Sequence, residues 1–170
     1  MQNLRQNRQS VLIKEITCMT QILFLQGPNL NLLGLREPEI YGKISLDELH
    51  HQLKAKGLKN GLVLDFYQTN VEGEMISRIH QAFFNKTPFI IINPGAFTHS
   101  SIAIRDAFLA TQIPFIEVHI SNTYSRETFR QRSYLSDIAK GVIIGLGLEG
   151  YHLALDYACN FLSRNAKNKI

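Results

Sequence analysis

Glu117 and His119 stand two residues apart in the run Phe115-Ile-Glu-Val-His-Ile120. On a β-strand, residues two apart share a face. A carboxylate would therefore lie beside an imidazole, hold its ring and favour its protonated form. A histidine held in this way at the end of a strand suits a general acid, although a structural ion pair has the same pattern. A second chemistry-bearing stretch is the Pro-containing loop in which Arg36 and Tyr41 accompany Glu37 and Glu39. A phenol with its ordinary pKa near ~10 is a poor base at neutral pH. A neighbouring guanidinium stabilises phenolate and lowers that value, and Arg126 can add to the same field. The alternative is a loop tyrosine packed on the surface.

Asn29, Asn93, His99 and Asp106 lie near expected strand ends or helix starts. Each alone reads as a turn or cap residue; together, at one edge, they suggest a binding site. His119-Ile120-Ser121-Asn122 closes a strand in small and polar residues, whose backbone N–H groups can grip a carboxylate. Arg130 comes one helical turn after Arg126, so the two can share a face, or stand as two solvated arginines. Gly145-x-Gly-x-x-Gly150 follows a strand and opens a helix, as in the dinucleotide fingerprint. That fingerprint also calls for a further strand and an acidic residue about 20 positions on, which the residues through Ile170 do not supply. Close packing of a turn, or approach of backbone to a substrate, is the simpler reading. His50, His51, His80 and His152 fall in helical patterns and read as structural or solvent-facing.

The elements that must position these residues alternate in type. Apolar runs at residues 22–25, 62–67, 89–92, 115–120 and 142–146 read as strands. Helical patterns lie between and after them. One starts at the capping box Ser45-Leu-Asp-Glu48 and runs to about Lys56, ended near Gly57. A second covers residues 72–84, with Met75, Ile76, Ile79, Ala82 and Phe83 at helical spacing. A third covers 100–111, with Ile102, Ala103, Ala107 and Ala110 on one side. The last covers 149–163. A polar loop with a short helical turn occupies 121–136. Strand–helix alternation implies a parallel sheet covered on both faces. Five strands point to a flavodoxin-like doubly wound α/β fold, whose ligands sit beyond the carboxyl ends of the strands. Residues 1–18 read as an N-terminal extension of uncertain order, and residues 19–170 as a single domain.

Of 170 residues, 45% are hydrophobic and 19% charged, which is ordinary for a globular protein and excludes collagen-like or disordered classes. The net charge of +4 does not point to nucleic acid, because the basic residues form no dense run. No stretch of about 18 apolar residues suggests a membrane span. Cys18 and Cys159 fit no disulfide framework or metal-ligand spacing, so a reduced cytoplasm is expected.

Four ordered blocks, together, resemble the type II 3-dehydroquinate dehydratases: QGPNLNLLGLREPEIYG (26–42), FYQTNVEGEMI (66–76), INPGAFTHSSIAIRDA (92–107) and IEVHISNTYSRETFR (116–130), supported by SYLSDIAKGVIIGLGLEGY (133–151). The resemblance implies trans-dehydration of 3-dehydroquinate to 3-dehydroshikimate through an enolate, in the shikimate pathway of aromatic amino-acid biosynthesis, without metal, cofactor or Schiff-base lysine. It makes Tyr41 the base, helped by Arg36, and His119 the general acid, oriented by Glu117. Asn29 would hold the water that stabilises the enolate. Asn93, His99, Ile120, Ser121 and Arg130 would bind substrate, with Arg126 a second loop arginine near the site. Asp106 matches a position contributed across a subunit boundary in a homo-oligomer of twelve chains, four trimers. Thr123-Tyr124-Ser125, Thr128 and Val71 depart from the commonest pattern of that family, none of them at a catalytic position.

Overall fold

A computed structural model describes residues 20–35 and 44–167. The N-terminal extension, Arg36 and Tyr41 lie outside the described residues. The strands are β1 (Thr20–Gln26), β2 (Leu62–Gln68), β3 (Phe89–Asn93), β4 (Phe115–His119) and β5 (Gly141–Ile144). The helices are α1 (Leu46–Lys59), α2 (Glu72–Phe84), α3 (Ile102–Thr111) and α4 (Glu149–Lys167). The sheet order is β2-β1-β3-β4-β5 and every neighbouring pair is parallel. This is the flavodoxin-like order, with its switch point between β1 and β3.

Period-2 alternation divides the strand side chains between two cores. Ile22, Phe24, Phe89, Ile91, Ile116 and Val118 pack with Leu49 and Leu53 of α1 and with Tyr151, Ala154 and Leu155 of α4. Leu23, Leu25, Ile90, Ile92 and Phe115 pack with Met75, Ile79 and Ala82 of α2 and with Ile104, Ala107 and Phe108 of α3. Both faces are therefore covered, as a continuous apolar strand pattern requires.

Three local expectations change. Helix α1 does not stop near Gly57: it continues to Lys59 and ends through Asn60 and Gly61, whose φ is +69°. Gly57 instead lies buried against β2, where a Cβ would come within 2.8 Å of Leu64 Cγ. Its small size serves packing, and it does not act as a helix stop. Helix α3 begins at Ile102 because the Ser101 hydroxyl caps Ile104 N–H at 2.9 Å. Its buried stripe is Ile104, Ala107 and Phe108, while Ile102 is 57% exposed; the larger Phe108 decides the orientation over the small alanines. β5 ends at Ile144, and Leu146 is exposed.

The capping box at α1 does form in part, with Glu48 N–H donating to Ser45 Oγ at 3.2 Å. One turn later His50 lies over Phe66, ring centroids 4.1 Å apart. Burial beside this ring lowers its pKa from 6.5 to about 4, with Asp47 opposing. In the unfolded chain His50 takes up a proton near its ordinary value, which the folded state resists. The stability contributed by this group is thus complete above pH 6.5 and declines as pH falls towards about 4. The slope of melting temperature against pH across that window should flatten in His50→Leu, as read by circular dichroism. An unchanged slope would assign the acid sensitivity to other groups.

Candidate active site

Strand ends of a parallel sheet bring loops together without burying their backbone, and here two loops meet at the switch point. Gly27 N–H donates to Asn93 O at 2.8 Å. A Cβ on Gly27 would lie 2.2 Å from Pro94 O, so only glycine lets the loops after β1 and β3 run so close. Asn29 adopts a left-handed conformation, φ 67°, which asparagine tolerates better than most residues. Its N–H donates to Asn70 Oδ1 at 2.9 Å, and Asn70 also accepts from Gln68 Nε2 at 3.2 Å. The loop after β2 thus fixes the loop after β1.

Beyond these ends lies a cleft of about 300 Å³, lined by Asn29, Asn93, His99, His119, Ile120, Ser121, Arg126 and Arg130. Its size is at the small end of ligand pockets and suits a small polar molecule.

The floor of the cleft is built on β4. Glu117 and His119 share a strand face as their spacing predicts, and His119 Nε2 is 2.7 Å from Glu117 Oε1. Glu117 is fully buried and His119 is 7% exposed. Because an ionised carboxylate only accepts, Nε2 carries a hydrogen and Nδ1 is the nitrogen left for a ligand. Glu117 has two further donors. Thr98 Oγ1 donates at 2.5 Å, and Ser133 Oγ donates at 3.0 and 3.1 Å to its two oxygens. The Ser133 oxygen in turn accepts from Leu135 N–H at 2.9 Å and Ser136 N–H at 3.0 Å. Arg105 of α3 steadies this segment by donating to Tyr134 O at 2.8 Å and pairing with both oxygens of Asp137.

His99 stacks over His119, ring centroids 6.3 Å apart. Its Nδ1 lies 2.7 Å from Arg132 O. A carbonyl cannot donate, so Nδ1 bears the hydrogen and Nε2 is the other ring nitrogen open to a ligand.

Arg126 and Arg130 do reach one cleft, but not as neighbours on a helix. Residues Thr123–Ser125 and Thr128–Arg130 form separate 3₁₀ turns, with Arg126 extended between them. Glu127 joins the two: Arg130 Nε lies 2.8 Å and Arg126 Nε 3.7 Å from Glu127 Oε2. Hydrogen bonding from its own backbone, and then from Arg130, holds the Glu127 carboxyl below the usual carboxylate range. Arg126 Nη1 also reaches Ser121 Oγ at 3.5 Å.

Of the residues singled out in the sequence, Asn29, Asn93, His99, His119, Ile120, Ser121, Arg126 and Arg130 meet at this cleft, and Glu117 lies beneath it. Asp106 does not; it is exposed on α3. The glycine motif is also outside it. Gly145 turns with φ +81°, and a Cβ there would come within 3.0 Å of Asn122 Cβ, so it packs a turn. Thr98, Ser133, Asn70 and Gln68 were missed. Each is a common polar residue, and its partner is 16 to 41 positions away, beyond any local spacing rule.

A small cleft lined by two arginines and floored by a carboxylate-held histidine, at the switch point of a flavodoxin-like sheet, is the arrangement of an α/β protein equipped for acid–base chemistry on a small ligand. Residues 20–159 match the family model described as Dehydroquinase class II. A protein of Actinobacillus pleuropneumoniae named 3-dehydroquinate dehydratase is 59% identical over 146 residues, covering 86% of this chain and 94% of that one. Another of that name, from Methylococcus capsulatus, is 57% identical over 147 residues, covering 86% and 99%. The crystal structure of type II dehydroquinase from Propionibacterium acnes superposes with a TM-score of 0.79 at 47% identity, over 83% of this chain and 97% of that one. The chain belongs to the class II dehydroquinase family.

The three-donor arrangement makes Thr98 a support for buried charge. Thr98→Val keeps the volume and removes one donor to a carboxylate, and should cost about 1.5–3 kcal/mol of stability. Chemical denaturation checks this; a change below about 0.5 kcal/mol would remove Thr98 from that role.

Proposed function

We propose that this chain is a hydro-lyase that removes water from 3-dehydroquinate to give 3-dehydroshikimate, in the shikimate pathway that leads to the aromatic amino acids. The observation that carries the reading is His119 at the floor of the cleft, its Nε2 spent on buried Glu117 and its Nδ1 left for the ligand. Family membership supports the same activity.

The reaction needs a base, an acid and a place for charge. The proton removed lies beside a ketone, so its loss builds negative charge on the carbonyl oxygen as an enolate. Tyr41 takes that proton from C2, its phenolate favoured by Arg36. Asn29 holds a water against the enolate oxygen, a donor preorganised for charge that develops during reaction. The C1 hydroxyl leaves as water when His119 protonates it. Before the transfer His119 carries hydrogens on both ring nitrogens, and Glu117 stabilises that cation through Nε2–H; the Nδ1 proton goes to the departing hydroxyl and leaves the ring neutral. A positioned base and acid each contribute ~10²–10⁴-fold.

The substrate is a polyhydroxylated carboxylate, which matches the cleft. Backbone N–H groups at Ile120 and Ser121 with the Ser121 hydroxyl grip the carboxylate. Asn93, His99 and Arg130 take the ring hydroxyls, and Arg126 adds positive charge. Asp106, outside its own cleft, acts in that of a neighbouring subunit in an assembly of twelve chains, four trimers. No helix of the described residues is long and apolar enough to cross a membrane, and we place the enzyme in the cytoplasm.

Purified protein with 3-dehydroquinate should generate the ultraviolet absorbance of a conjugated enone; well-folded protein that yields none would overturn the assignment. Tyr41→Phe and His119→Ala should each lower kcat by at least ~10² while changing KM far less. Near-normal kcat in either variant removes that residue from its role. Light scattering should report the dodecamer, and a monomer in solution would rule out the part given to Asp106.

A further inference from the structure

Asn93 enters the cleft from the end of β3, and its orientation is set from behind the cleft wall, on the sheet face that α4 covers. Gly95 N–H donates to Asn93 Oδ1 at 3.1 Å. This contact identifies Oδ1 as the acceptor and leaves Nδ2 as the donor. Nδ2 lies 2.7 Å from Tyr151 Oη, and the Tyr151 hydroxyl donates onward to Gln26 Oε1 at 2.8 Å. The order is therefore fixed along the chain: amide N–H to phenol oxygen, phenol O–H to amide carbonyl. Each bond polarises the next.

Tyr151 is fully buried on the first turn of α4, and Gln26 is fully buried at the end of β1. Burial pushes the Tyr151 phenol well above its ordinary value, with Asn93 and Gln26 opposing, so it remains a neutral relay of hydrogen bonds. Gln26 and Asn93 are register partners on adjacent strands. Both point to the face on which Tyr151 packs. The three polar groups thus form one buried file behind the cleft wall. Among the described residues Gln26 Nε2 has no hydrogen-bond partner. A core chosen for stability alone would not carry that amide.

We propose that Tyr151 is a positioning residue for the reaction, holding the Asn93 amide against Gln26 so that Asn93 meets the substrate in one fixed orientation. Tyr151 does not line the cleft and acts only through Asn93. Without the phenol oxygen, Asn93 Nδ2 loses its partner, and the Gly95 N–H at Oδ1 is left to hold an amide whose last torsion is of the broad type.

This inference rests on the dehydratase reading, and a double-variant cycle separates the two. Wild-type turnover in the enone assay bears on the dehydratase reading by itself. With turnover present, Tyr151→Phe should lower kcat/KM about tenfold, the scale of one hydrogen bond. Asn93→Ala should lower it at least as much. In the Asn93→Ala background, Tyr151→Phe should then cost less than about twofold, since its target is gone. Losses that multiply in the double variant overturn the proposal, because Tyr151 would then act on the fold at large. Wild-type rates for Asn93→Ala overturn it too. Should Tyr151→Phe fail to fold by circular dichroism, Gln26→Met takes its place in the cycle, with the same expectation and the same contrary result. Should the wild type show no turnover, the dehydratase reading falls, and the cycle is read instead on the Kd for 3-dehydroquinate by calorimetry. Multiplying losses there overturn the positioning role as well.

Discussion

The histidine side of the cleft depends on one carboxylate buried in the fold. Glu117 has no exposed surface, and an ionised carboxylate in such a place costs several kcal/mol even after relaxation, by about the usual estimate for buried ions. It persists because His119, Thr98 and Ser133 all donate to it. The three donors come from three separate stretches of chain: β4 itself, the 3₁₀ turn after β3, and the segment before β5. Satisfying one charge therefore draws three parts of the cleft together. Removing the charge would leave three donors facing inwards, so the arrangement is cooperative in both directions.

The two halves of the site approach from opposite faces of the sheet. Glu117 and His119 alternate with Ile116 and Val118, and so belong to the side covered by α2 and α3. Gln26 and Asn93 belong to the side covered by α1 and α4, where Tyr151 waits. On the strands themselves these groups are separated by the sheet. They can meet only past its carboxyl edge, where the chain order changes direction and the loops have room to converge. Gly27 and Pro94 set how tightly that edge closes.

The fold was legible from the sequence because its signal is repeated and local. Five apolar runs alternating with helical patterns allow few arrangements, and the sheet order follows from a general rule. Boundaries were less legible where one residue serves two purposes. Gly57 reads as a stop yet is a packing contact, and the alanines of α3 outvoted Phe108 in the sequence but not in the core. At the site, Glu117 and His119 were visible because their relation has a period of two. Asn93, His99, Ser121, Arg126 and Arg130 were visible through resemblance and their place at strand ends. Thr98, Ser133, Gln26 and Tyr151 were not. Their partners lie far along the chain, and the face on which Tyr151 packs is known only once α4 is docked.

Ser133 shows why such supports escape a reading of spacing alone. Its hydrogen goes to Glu117 and its oxygen receives the N–H groups of Leu135 and Ser136. The same atom thus ends a charge and starts a turn. Arg105 holds that turn to α3 through Tyr134 and Asp137, and Tyr134 N–H returns to Thr98 O at 2.8 Å. The buried charge and the surface segment are therefore one hydrogen-bonded unit. The segment before β5 is thereby joined to the strand that carries His119 through residues that do not line the cleft.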